Sequence, residues 1–167
     1  MVSPIQVVPA ILANEPETLG KLVGVAETFA KFVQFDIMDG KFVPSRSIGY
    51  EDIAHLKPEF DWEVHLMVLK PEDYVSGFQK AGAKRIIFHY EATPEPEKVI
   101  SAVRRANLQV GLAVNPETPV SAILPLANEI DVVLFMTVHP GFYGAKFLPE
   151  VMDGVKELRH ILPEIEI

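Results

Sequence analysis

Short apolar runs rich in β-branched residues recur along the chain at 5–12, 32–37, 62–67, 85–89, 109–114 and 131–138, the length and composition of buried strands. Segments with helical spacing separate them, at 16–31, 51–56, 71–81, 94–106, 120–127 and 149–161. Several of these open with Pro in the first turn, where a helix tolerates it. Lys70-Pro71-Glu72-Asp73 and Leu148-Pro149-Glu150 add acids near the positive end of the helix dipole. Six β-then-α units followed by Glu164-Ile165-Glu166-Ile167 as the start of a seventh strand predict parallel pairing with helical crossovers. The expected fold is α/β: a TIM-type (β/α) barrel, incomplete, of about six βα units plus the start of strand seven. The whole of 1–167 reads as a single domain truncated at its C-terminal side. An open Rossmann-type sheet is the competitor, but no Gly-x-Gly-x-x-Gly follows the first strand.

Composition narrows the function classes. With 167 residues, 49% of them hydrophobic, the chain can bury one good-sized core. A net charge of −8 and a pI near 5.1 argue against a nucleic-acid partner, because phosphate backbones are gripped chiefly by Lys and Arg. With no cysteine, disulfide and thiol chemistry are excluded. Pro, Gly or charge interrupts each apolar run short of a membrane span, and the N-terminus lacks a cationic apolar leader. The expectation is a cytoplasmic protein with no membrane partner.

In a parallel barrel the residues closing each strand converge on one rim. Asp36, in Val33-Gln34-Phe35-Asp36-Ile37-Met38-Asp39-Gly40-Lys41, is the best general-base candidate, since a carboxylate in a partly dry mouth can take a proton from carbon beside a carbonyl. The alternative is a carboxylate that caps a turn or pairs with Lys41. His65 could ligate a divalent ion, polarise an oxygen, or be a hydrogen-bonded core residue. His89, at the next strand end, is open to a supporting or core role, and His139 to substrate contact or solvent. Met38, Met67 and Met136 fall at or near strand ends, either as core filler or as a dry wall against a planar intermediate. The loop His139-Pro140-Gly141-Phe142-Tyr143-Gly144 has glycines that let backbone amides approach an anion.

Taken in order, Pro9-Ala10-Ile11-Leu12, Asp36-Ile37-Met38-Asp39-Gly40-Lys41-Phe42-Val43-Pro44, His65-Leu66-Met67-Val68, Ala81-Gly82-Ala83, Asn115-Pro116-Glu117-Thr118-Pro119 and Met136-Thr137-Val138-His139-Pro140-Gly141-Phe142 resemble the ribulose-phosphate 3-epimerase family over nearly the whole chain. The resemblance implies interconversion of ribulose 5-phosphate and xylulose 5-phosphate by proton transfer at C3, through an enediolate stabilised by a divalent metal (Zn, Mn, Fe or Co). It implies Asp36 as acid/base and metal ligand, and His65 as metal ligand. It makes Met38, Met67 and Met136 the wall of the intermediate, and places Gly141, Phe142, Tyr143 and Gly144 near the substrate phosphate.

Three departures from the family pattern qualify that transfer. Gln34 replaces an imidazole ligand with a neutral amide, which holds zinc-like ions weakly. Ala10 and Ala13 stand where the family's first strand carries hydroxyls. The family continues with an Asp-Gly-Gly strand end that carries a second catalytic Asp, and this sequence stops at Ile167. An unclosed barrel exposes strand edges that invite pairing with another chain, so a homo-oligomer is expected. The alternatives are a non-catalytic or impaired sugar-phosphate-binding or assembly relative, and an epimerase for another ketose phosphate.

Overall fold

The computed structural model describes residues 5–141 and 144–167. Helix and strand alternate as β1 (Ala10–Ile11), α1 (Pro16–Ala26), β2 (Phe32–Met38), α2 (Tyr50–Leu56), β3 (Asp61–Met67), α3 (Val75–Ala81), β4 (Arg85–His89), α4 (Pro96–Arg105), β5 (Gln109–Val114), α5 (Val120–Ile123), β6 (Val132–Phe135) and α6 (Val151–Ile161). The strands form one sheet in the order of the chain, with each adjoining pair parallel. Among the described residues the sheet does not close. β1 pairs with β2 alone, and the far edge beyond β6 carries a single parallel bridge from Val132 to Glu166, where the seventh strand was expected. The sheet nevertheless curls, since side chains of β1, β2, β3 and β6 line one cavity. This is an incomplete (β/α) barrel.

The pleat sorts every strand into two faces. Val33, Phe35 and Ile37 of β2 pack outward with Trp62, Val64 and Leu66 of β3 and Ile86 and Phe88 of β4 in a large core against the helices. Leu19, Ile53, Phe78, Val99 and Leu158 supply the helical side of that core. Residues of opposite parity point inward. They form a small core of Ile87, Ala113 and Val132, and nearer the rim Met38 and Met67 pack with Val43 of the loop after β2. At the opposite end of the strands the inward face is charged. Arg85 bonds buried Glu63 at 3.1 Å, both oxygens of Glu166 at 2.8 Å and Gln109 at 3.1 Å. Burial raises the Glu63 carboxyl above its usual range, the Glu166 charge adds to that, and Arg85 opposes it.

The elements differ from the sequence pattern mainly at their ends. The 5–12 run forms a strand only at Ala10–Ile11. Ile5 and Val7 lie exposed, and the stretch before Ala10 is tied to β2 by the Gln34 N–H donating to the Pro9 carbonyl at 3.0 Å. The helix expected over 71–81 begins as a 3-10 turn at Pro71–Tyr74 before α3, and α5 is prolonged by a 3-10 stretch to Glu129. Gly82, in the left-handed region at φ +106°, ends α3 with its N–H on the Phe78 carbonyl, a conformation glycine adopts without steric cost.

The inner core is tight at Gly111. A β-carbon there would stand 2.5 Å from Ile87 Cγ1 and 2.9 Å from Val132 Cγ1, and β-branched neighbours have few rotamers with which to yield. Gly111→Ala is expected to destabilise the fold by about 1–3 kcal/mol, read from urea unfolding. An unchanged midpoint would show that the interior gives way freely.

Candidate functional site

Alternation within β2 puts Gln34, Asp36 and Met38 on the inner face, and the register sets Asp36 directly beside His65 and Met38 beside Met67 on β3. These five residues line a cavity of about 360 Å³ with Ala10, Leu12, Leu134, Met136 and the segment from Thr137 to Gly141, a volume suited to a small ligand. The structure therefore brings Gln34, Asp36, His65, the three methionines and Gly141 together. Gly144 belongs to the same loop at φ +70° but does not line the cavity, and Phe142 and Tyr143 lie outside the described residues. His139 lines the cavity edge and faces Glu117 at 3.4 Å from an exposed position.

Asp36 is hydrogen-bonded on one oxygen. Gln34 Nε2 donates to Oδ1 at 2.8 Å, and His65 Nδ1 lies 3.0 Å from the same atom. His65 Nε2 in turn stands 2.8 Å from His89 Nε2, the two rings being stacked with centroids 4.9 Å apart. His89 Nδ1 faces Glu91 Oε2 at 3.4 Å. The other Glu91 oxygen, Oε1, accepts the Asn115 N–H at 2.9 Å and the Thr118 hydroxyl. A polar chain thus runs from the cavity to the start of α5. Of the two sequence readings of His89, the geometry favours support of His65: the ring is fully buried, covered by Phe42 at 4.9 Å, and does not line the cavity.

The electrostatics follow from this burial. Burial pushes the His89 imidazole down to about 4, against the opposing pull of Glu91, so the ring is neutral at ordinary pH. Burial alone would raise Glu91, but hydrogen bonds from His89, Thr118 and the Asn115 amide outweigh it and hold the carboxyl below its usual range. Asn115 Oδ1 is buried without a hydrogen-bond partner.

Asp39 has a role that the sequence reading missed. Its Oδ1 accepts the N–H groups of Lys41 and Phe42 at 2.8 and 2.9 Å, and its Oδ2 accepts that of Leu69 at 2.8 Å. It therefore binds the loop after β2 to the one after β3. Its partial burial would raise the carboxyl, and these backbone bonds outweigh that and lower it. Asp-Gly after a strand is the pattern of such a side-chain-closed turn, so the signal was available. Ser45 Oγ, donating to the Gly141 carbonyl at 2.6 Å, ties the β2 loop to the β6 loop.

Asp36 Oδ1 and His65 Nδ1 have the spacing of adjacent ligands on one divalent ion, since atoms about 2.0–2.2 Å from a metal lie about 3 Å apart at a right angle. Gln34 is placed to add a neutral amide. Among the described residues no three His, Cys, Asp or Glu side chains converge, so this donor set fits a weakly held ion. No helix among the described residues is long and apolar enough to cross a membrane.

Neutral burial of His89 predicts a pH effect. The unfolded ring titrates near 6.5 and the folded one near 4, so the unfolded state binds more protons between these values. Stability is expected to be full above about pH 6.5 and to fall as the pH drops toward 4, by about 3 kcal/mol from this group. Urea unfolding across that range should show a smaller acid loss in His89→Asn than in the parent chain; equal slopes would refute it.

Comparison with known proteins came to a consistent result. A sequence model described as the ribulose-phosphate 3 epimerase family matches residues 6–167. The ribulose-phosphate 3-epimerase of Schizosaccharomyces pombe is 37% identical over 97% of this chain and 74% of its own length. A cytoplasmic isoform of that enzyme from Oryza sativa is 39% identical over 83% of this chain and 63% of its own length. Among solved structures, a mutant tryptophan synthase alpha-subunit from Pyrococcus furiosus superposes with a TM-score of 0.65, covering 95% of this chain and 73% of that one. At 10% identity it speaks for the fold alone.

Proposed function

This chain belongs to the ribulose-phosphate 3-epimerase family, and from that membership we propose that it interconverts ribulose 5-phosphate and xylulose 5-phosphate by moving the proton at C3. The observation that supports this most directly is the setting of Asp36, the single carboxylate among the described residues lining the cavity. Asp36 takes the C3 proton, and negative charge spreads to the C2 oxygen as the enediolate forms. Met38, Met67 and Met136 keep water from the face of that planar species, which strengthens the local electrostatics. Gln34 and His65 hold Asp36 in place through its Oδ1. A divalent cation such as Zn, Mn, Fe or Co would be held by Asp36 and His65, with Gln34 as a weak third ligand, and when bound supplies positive charge that polarises the carbonyl. The substrate phosphate is assigned to the loop of Gly141 and Gly144, whose positive φ angles suit backbone amides turned toward an anion.

Inversion at C3 needs a proton donor on each face, whereas exchange needs only one, so exchange is the sharper test of Asp36. Deuterium incorporation at C3 of ribulose 5-phosphate in D₂O with added Mn²⁺, Zn²⁺ or Fe²⁺ is expected, and Asp36→Asn should lower it on the order of 10²–10⁴-fold. No exchange under any of these metals would end the catalytic reading. The same single carboxylate favours a second reading, sugar-phosphate binding without turnover, which calorimetry separates as heat of binding in a chain that exchanges nothing.

A cytoplasmic setting accords with the cysteine-free composition and with the rice relative. A second copy of the chain is the proposed partner. The outer edge of β1 is unpaired among the described strands, and Val25 and Phe29 of the neighbouring 16–29 segment are more than half exposed. Light scattering should give a mass above 18.6 kDa; a clean monomer would refute it.

A further inference from the structure

We propose that Glu91 and His89 are positioning residues that determine which nitrogen of His65 carries its hydrogen, and so aim a lone pair at Asp36. The inference rests on the reading of Asp36 and His65 as the reaction centre, and goes beyond it by assigning work to residues that do not line the cavity.

The chain of bonds is anchored at its far end by Glu91. Glu91 Oε1 accepts two donors, the Asn115 amide and the Thr118 hydroxyl, which fixes the side chain from the β5 end and the approach to α5. Its Oε2 faces His89 Nδ1, and an acceptor there calls for hydrogen on Nδ1. A neutral imidazole with hydrogen on Nδ1 has its lone pair on Nε2. That nitrogen lies 2.8 Å from His65 Nε2, which must then carry the hydrogen between them. The lone pair of a neutral His65 is left on Nδ1, 3.0 Å from Asp36 Oδ1. Two electron-rich atoms at that distance hold a cation between them, either a proton or a divalent metal ion.

Burial makes the relay strict. His65 and His89 are 2% and 0% exposed, so water is not at hand to satisfy a ring nitrogen in the wrong tautomer. The opposite order would set a bare His89 Nδ1 against the Glu91 carboxylate. Phe42 packs on the His89 ring at 4.9 Å and resists its turning. Outer hydrogen-bond partners of this kind commonly set the tautomer of a ligating histidine.

The test compares the full chain with Glu91→Gln and Thr118→Val, the second of which keeps the carboxylate and removes one of its anchors. Imidazole ¹⁵N spectra, assigned with His65→Asn, should show His65 Nε2 fully protonated in the metal-free parent, whether or not the proton shared with Asp36 sits on Nδ1, and only partly protonated in both variants. Co²⁺ affinity by calorimetry should fall about 10–100-fold in Glu91→Gln, and less in Thr118→Val. An unchanged His65 spectrum in both variants overturns the proposal, as does a parent spectrum with hydrogen on Nδ1 alone. If Glu91→Gln fails to fold, Thr118→Val decides by the same spectrum. Because the ¹⁵N readout needs neither substrate nor metal, absence of C3 exchange in the parent would count against the epimerase reading and leave this one standing.

Discussion

The site depends on one constraint, the in-register parallel pairing of β2 and β3 that sets Asp36 beside His65. With a side-chain period of two, a slip of one residue would turn the whole inner set of β2 outward and bring Val33, Phe35 and Ile37 into the barrel. The large core against the helices makes such a slip costly, because all three side chains are buried in it. Packing outside the barrel therefore fixes chemistry inside it. Scaffold and site are two faces of the same strands.

The polar interior is arranged in levels along the strands. Glu63, Arg85 and Gln109 are register partners at the start of β3, β4 and β5, the next inward level pairs Asp36 with His65 and His65 with Ile87 of the small aliphatic core, and Met38 and Met67 pair nearer the rim. Buried charge is stable only when paired, and each buried ionisable group described here has a partner.

Much of this was legible in the sequence. The strands around Asp36 and His65 are long and apolar, bounded by Gly, Pro and Asp, and β4 and β5 appear with the expected limits. The convergence of Asp36, His65 and the methionines followed from topology, since strands running one way end on one rim. What was hidden depended on tertiary context. The run at 5–12 has the composition of a strand, yet among the described residues its first positions find no strand to pair with. His89 was ambiguous because a buried imidazole reads alike in sequence whether it supports a neighbour or fills a core. Glu91 drew no attention, since its anchors Asn115 and Thr118 lie 24 and 27 positions away.

The Arg85 cluster bears on the order of assembly. Strands adjacent in the sheet are adjacent in the chain, so β2 to β6 can zip up through successive modest loop closures. The contact between Arg85 and Glu166 spans 81 positions, and the Glu166 carbonyl also takes the N–H of Val133 on β6. Its docking place exists only after β4 and β6 are both seated. Residues 164–167 thus lean on surfaces that the preceding strands supply, a dependence that runs in the direction in which a ribosome delivers the polypeptide.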